Sequence, residues 1–144
     1  MKTVRLASGD TALAKKMFSM MARTFAEPGG ELSDEYVADL LARAGFWAIA
    51  AIDGDEVVGG ITAHTLPMTR VQDSEIFIYD IAVRPDRQRR GIGRSLVAHL
   101  REAAAAEGID VVFVPADAED DHAIEFYRAL GGDASPVTFF TFER

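Results

Sequence analysis

The 144-residue chain has no cysteine, which excludes disulfides, thiolate metal sites and a cysteine nucleophile. Long apolar runs are missing as well. Stretches such as residues 46–52 are far too short to cross a bilayer, and residues 1–10 carry no apolar signal region. No membrane contact and a cytoplasmic location are therefore expected. The three histidines have no companions at ligand spacing, so no metal is expected. Basic residues are in deficit, 15 against 23 acidic for a net charge of -8. That argues against general nucleic-acid binding, which relies on excess Lys and Arg. It favours a small cationic partner, provided the acids converge. The length fits one domain over residues 1–144, able to bury about two-thirds of its chain surface.

What is present is concentrated in residues 76–95, where an apolar strand runs into a basic, glycine-punctuated turn that opens into a helix. Such a turn is an anion cradle. Gly91 and Gly93 let the backbone approach a ligand closely, and the first N–H groups of the helix have no intrahelical partner. A phosphate or pyrophosphate fits there, with Arg84, Arg87, Arg89 and Arg90 supplying charge. The spacing is neither that of a P-loop nor that of the three-glycine dinucleotide fingerprint.

Gln88-x-x-Gly91-x-Gly93, following a strand that ends Ile81-Ala82-Val83, resembles the acetyl-CoA signature of the GCN5-related N-acetyltransferase (GNAT) superfamily. Ala123-x-x-x-Tyr127-x-x-x-Gly131 matches that family's second landmark. The resemblance implies an α/β (α+β) fold with a mixed, mostly antiparallel sheet of splayed strands flanked by helices. It implies acetyl-CoA as co-substrate, held by Gln88, Arg89, Arg90, Gly91, Ile92, Gly93, Arg94 and Ser95. It also implies that the backbone N–H groups of Ile81, Ala82 and Val83 face the thioester oxygen.

Patterning along the chain predicts strands over residues 2–6, 46–52, 57–65, 75–83, 109–114 and 137–142. Helices are predicted from Asp10 through about Phe25, from Ser33 to about Arg43, over 95–107 and over 121–130, with residues 27–30 breaking the first from the second. The order is β-α-α-β-β-β-α-β-α-β. Trp47 and the Met17, Met20, Met21 group read as core, while His64 and His99 read as strand-end and helix-surface residues.

Acetyl transfer to an amine needs the ammonium to lose a proton. Strict alternation puts Ile76, Ile78, Asp80 and Ala82 on one strand face, so a carboxylate interrupts an apolar row. A partly desolvated Asp80 gains basicity and is the candidate general base; the alternatives are a structural hydrogen-bonding role or simple attraction of a cation. Tyr127 stands where the family carries a tyrosine near the cofactor sulfur, which implies proton donation to the thiolate; packing beside Ile124 and Phe126 is the alternative. Asp117, Glu119, Asp120, Asp121 and Glu125 lie between Pro115 and Tyr127 with no Lys or Arg among them. One or two of these acids suffice to cap a helix, and the cluster as a whole suits a polycationic substrate.

Three segments sharpen the resemblance: residues 75–83, Val114-x-Ala-Asp117-x-x-Asp120-Asp121-x-Ala123, and Val57-Val58-Gly59 with Leu66-Pro67. Together they resemble the type I aminoglycoside 3-N-acetyltransferases, the resistance enzymes of the gentamicin kind. The likeness implies acetylation of the 3-amino group of a 2-deoxystreptamine drug. With no cysteine to hold an acetyl group, direct transfer in a ternary complex is expected, and Asp80, Asp117, Glu119, Asp120 and Asp121 are the candidate substrate-binding residues. It also implies a homodimer, a common assembly in this superfamily. The chain departs from the pattern at Asp120, usually asparagine, at Gly132, usually phenylalanine, and at His122, where the subgroup carries proline. Polyamines or protein N-termini remain alternative acceptors, and a non-catalytic acyl-CoA-binding regulator is the alternative outside enzymes.

Overall fold

The computed structural model describes residues 1–27 and 29–144. Pro28, inside the predicted break at 27–30, lies outside the described residues. Two compact units form, Met1–Val114 and Pro115–Arg144.

In the first unit, five strands assemble in sequence order: β1 (Lys2–Arg5), β2 (Phe46–Asp53), β3 (Glu56–Pro67), β4 (Ser74–Val83) and β5 (Val112–Phe113). The first three pairings are antiparallel and β4–β5 is parallel. Two-residue alternation divides the side chains of β2 into two apolar sets. Phe46, Ala48, Ala50 and Ile52 pack with helices α1 (Thr11–Thr24) and α2 (Asp34–Ala42) through Met17, Met20, Met21, Val37 and Leu41. Trp47, Ile49 and Ala51 lie on the opposite face, where α3 (Ile92–Ala106) docks. Trp47 is buried as expected, its indole N–H donating to Thr65 Oγ1 at 2.8 Å, with the Arg5 guanidinium 3.5 Å above its ring.

Neighbouring glycines in β3 let the helices close on both faces. A Cβ on Gly59 would sit 2.9 Å from Ile92 Cγ2, and one on Gly60 would sit 2.6 Å from Met17 Cγ. Ser33 caps α2 by accepting from the Tyr36 N–H, and Lys15 ties α1 to Asp34 at 2.7 Å. Asp10 stands at the N-cap of α1, but its carboxylate accepts from the Ala7 N–H instead of capping the helix.

The second unit holds α4 (Asp121–Ala129), capped by Asp120 and ended by a Schellman turn. In that turn the Gly131 N–H donates to the Arg128 carbonyl and the Gly132 N–H to that of Tyr127. Residues 137–142 do not form the predicted last strand: none pairs among the described residues, and Val137, Phe139, Phe140 and Phe142 are exposed. A strand needs a neighbour to take its backbone N–H and C=O groups, and none of the described residues supplies one there. The strand predicted over 109–114 shrinks to Val112–Phe113 for a related reason, because β4 pairs with it only at Ile76 and Phe77.

Candidate active site

Pairing between β3 and β4 slips by one residue. Ala63 opposes Ile78 and Thr62 opposes Asp80, so Tyr79 is the extra residue of a β-bulge. Paired residues share a face, and Ala63 and Thr62, being consecutive, point to opposite faces. Ile76 and Ile78 therefore lie on the α3 side, whereas Asp80 and Ala82 lie on the α1/α2 side. This corrects the strict alternation expected from the sequence. Asp80 does not interrupt the row of Ile76 and Ile78; the bulge turns it over to the other face.

Asp80 is half-buried beside Thr62. Desolvation, with a smaller contribution from the charge of Glu27, pushes its carboxyl above the usual range. A carboxylate so placed is a stronger base than one in water. Glu27, in the segment after α1, went unnoticed in the sequence because only folding brings its charge near β4.

Past Phe77, β4 has no pairing with β5, so one edge of its second half is open. The backbone alternates there too. The Arg84 N–H donates to the Val58 carbonyl at 2.8 Å, which points the Ala82 N–H toward β3 and those of Ile81 and Val83 toward the open edge. Of the three predicted donors, Ile81 and Val83 thus point theirs away from β3, while that of Ala82 turns into the sheet. The Gln88 side chain donates to the Val83 carbonyl at 3.0 Å and so fixes the edge to the loop that follows.

That loop carries two left-handed residues, Arg89 (φ 65°) and Gly91 (φ 79°). Helix α3 begins at Ile92, three residues earlier than predicted, with Gly91 as its N-cap. The Ser95 N–H is already bonded to the Gly91 carbonyl at 3.0 Å. The N–H groups of Ile92, Gly93 and Arg94 precede the first intrahelical bond and are left for an anion. A Cβ on Gly91 would meet nothing within 4 Å, so the space above the loop is open.

The arginines divide. Arg87 pairs with Asp53 and, at 3.6 Å, with Glu56. Arg84 holds Asp86 at 2.6 Å and Glu56 at 3.5 Å. Their hydrogen bonds hold Asp53 and Asp86 below the ordinary carboxylate range. These two arginines fasten the loop to the β2–β3 hairpin instead of supplying free charge to a phosphate. Arg89, Arg90 and Arg94 make no close salt bridge among the described residues, although the charge of Arg90 also helps to lower Asp53. The cradle thus fits a diphosphate such as that of acetyl-CoA, with Arg89, Arg90 and Arg94 as its cations.

In the second unit, the acids serve local structure in part. Asp120 Oδ1 accepts from the Ala123 N–H at 3.1 Å, and Asp117 Oδ1 from the Glu119 N–H at 2.9 Å. Glu119 and Asp121 are exposed. Tyr127 sits half-buried against Phe126, ring centroids 5.1 Å apart. A Cβ at position 132 would lie 3.0 Å from the Tyr127 carbonyl oxygen, so the glycine that departs from the family pattern packs closely under that helix end.

The open β4 edge, the bulge and the left-handed turn into α3 lie along one stretch of chain, from Tyr79 to Ile92. The model of the acetyltransferase (GNAT) family matches residues 14–131, and the chain belongs to that family, whose members use acetyl-CoA. Among solved structures, it is similar to an aminoglycoside acetyltransferase from an uncultured soil metagenomic sample, with 34% identity, a TM-score of 0.94, and 99% of this chain and 97% of that one covered. A second metagenomic aminoglycoside acetyltransferase, solved in complex with sisomicin, shares 27% identity with a TM-score of 0.92 over 99% and 96% of the two chains. A ribosomal protein bS18-alanine N-acetyltransferase of Salmonella typhimurium is 38% identical over 70 residues, 49% of this chain and 47% of that protein. The chain thus spans about half the length of the curated relatives it matches. No described helix is long and apolar enough to cross a membrane.

Proposed function

We propose that this protein is an aminoglycoside N-acetyltransferase that moves an acetyl group from acetyl-CoA to a ring amine, the 3-amino group of 2-deoxystreptamine. The observation that carries the substrate is likeness over nearly the whole chain to a metagenomic aminoglycoside acetyltransferase, at 34% identity. The two units act as one catalytic domain, a reading supported by a family match that runs through both. When bound, acetyl-CoA supplies an activated thioester. Ile92, Gly93 and Arg94 N–H groups, with the Arg89, Arg90 and Arg94 guanidiniums, hold its phosphates, and Gln88, Gly91 and Ser95 shape the cradle. Ile81 and Val83 N–H groups orient the carbonyl. Asp80 removes the ammonium proton, and the Tyr127 phenol returns one to the departing sulfur. Asp117, Glu119, Asp120 and Asp121 hold the drug's remaining ammonium groups. Two copies pair as a homodimer.

The likeness to the bS18-alanine enzyme favours a second reading, acetylation of a protein N-terminus, though it extends over only 49% of the chain. Release of the CoA thiol with gentamicin, spermidine and an N-terminal peptide as parallel acceptors separates the readings. Turnover confined to gentamicin is expected; turnover with peptide or spermidine alone would overturn the substrate and keep the fold.

A further inference from the structure

A row of five rings crosses the sheet on the α1/α2 side. Phe46 lies 5.4 Å from His64, His64 lies 5.9 Å from Tyr79, Tyr79 lies 6.1 Å from Phe77, and Phe77 lies 5.3 Å from Phe113, all as centroid distances. The inner end is buried at Phe46, but Tyr79 is 65% exposed and Phe113 is exposed too. Tyr79 is the extra residue of the bulge, on the half of β4 that β5 does not pair, and contact with His64 and Phe77 leaves most of its phenol open. The bulge gives it a location with meaning: consecutive residues of a regular strand point to opposite faces, yet here Tyr79 and Asp80 share one. His64, which the sequence suggested only as a strand-end residue, is the ring that supports Tyr79 from β3.

We propose that Tyr79, supported by His64 and Phe77, is the docking face for the acceptor's ring, a saccharide or aminocyclitol carrying ammonium groups, and sets it beside Asp80. This rests on the aminoglycoside reading and adds to it the feature that selects a ring over a flexible polyamine. Charge and shape both fit. Aromatic faces are electron-rich and attract ammonium groups and the polarised C–H bonds beside them. The Asp80 carboxylate, next in the chain to Tyr79 and on the same face, sets an anion beside the exposed ring. A rigid amino sugar offers a flat face and a cation together. Spermidine offers the cation without the face.

The test is titration calorimetry of gentamicin and of spermidine against the wild type, Tyr79→Ala, Tyr79→Leu and Tyr79→Phe, with KM and kcat for gentamicin and acetyl-CoA. Tyr79→Leu keeps apolar bulk without a ring, so it guards against a variant that merely folds poorly. Both ring-less variants should weaken gentamicin on the order of tenfold in Kd and KM, the size expected of a partly exposed cation–ring contact. Tyr79→Phe should stay near wild type, and KM for acetyl-CoA should not move. Unchanged gentamicin affinity in Tyr79→Ala, or an equal loss for spermidine, would overturn the ring-docking role while the aminoglycoside reading stands. A wild type that does not bind gentamicin would overturn that reading, and this inference with it.

Discussion

At the scale of single residues, Asp80 sets basicity against stability. Its carboxyl is pushed up chiefly by desolvation, and Glu27 adds repulsion. A raised native pKa means that the folded chain holds this proton to higher pH than the unfolded chain does. Stability therefore falls as pH rises from the unfolded to the folded value, and the penalty persists above it. Asp80→Asn should raise Tm at pH 7, with the gap to wild type closing as pH drops below the unfolded carboxylate range. The same substitution should cut kcat by about 10²- to 10⁴-fold, the usual contribution of a general base. A melting series from pH 4 to 8 beside a turnover assay reads both. Unchanged kcat would remove Asp80 as the base. In wild type, the acidic limb of kcat/KM should lie above the ordinary aspartate value of about 3.9. Glu27→Gln should move that limb to lower pH, because it removes the repulsion and leaves the desolvation. A limb that stayed in place would mean Asp80 is not the group it reports.

Among elements, the junction of β3, β4 and α3 decides whether a phosphate cradle exists. Gly59→Ala drives a methyl to 2.9 Å from Ile92 Cγ2 and 3.3 Å from Leu96 Cδ1, so these side chains, or the helix that carries them, must give way. The expected cost is about 1–3 kcal/mol in a denaturant melt. KM for acetyl-CoA should rise as well, because Ile92 is the first residue of that helix. A stability loss with unchanged KM would separate the packing from the cradle. At Gly91 the left-handed φ is the constraint, and the space around it is open. Gly91→Asn tolerates that φ and adds no charge, whereas Gly91→Asp adds an anion to the cradle. By calorimetry, Asp should abolish acetyl-CoA binding and Asn should only weaken it; equal effects would mean the loop excludes bulk, not charge. Much of this junction was legible beforehand, since glycine spacing after an apolar strand is a local signal. The bulge at Tyr79 was not. Every residue from Ile76 to Val83 suits a strand, and nothing local announces that Thr62 will oppose Asp80 and Ala63 Ile78. Nor could the sequence assign Arg84 and Arg87 to Glu56, which lies on the neighbouring hairpin. Turns are written in adjacent residues, but strand register and ion pairing are written across the sheet.

For the whole molecule, the outstanding physical feature is apolar surface that one copy leaves in water. Val137, Phe139, Phe140 and Phe142 are each at least 67% exposed, in a segment whose pattern suits a strand but whose backbone pairs with nothing described. Burying a phenylalanine is worth about 1.5–3 kcal/mol, so three left open are a large incentive to associate. The sheet of the first unit meanwhile ends in two edge strands, β1 and the two-residue β5, each paired on one side only among the described residues. Unpaired edges invite another chain. The proposed homodimer satisfies both needs if the terminal segment of each copy finds a partner in the other. Sedimentation velocity should show a dimer at micromolar concentration. Phe139→Ser combined with Phe140→Ser and Phe142→Ser should shift it to monomer, while Phe25→Ser, at another exposed phenylalanine, should not. If wild type sediments as a monomer across a hundredfold concentration range (about the span needed to bracket a micromolar Kd), the homodimer is wrong and the terminal phenylalanines need another partner. If the triple variant remains dimeric, the pairing uses a different surface. A monomeric triple variant that still turns over gentamicin would assign the segment to assembly and leave the acceptor site to each copy alone.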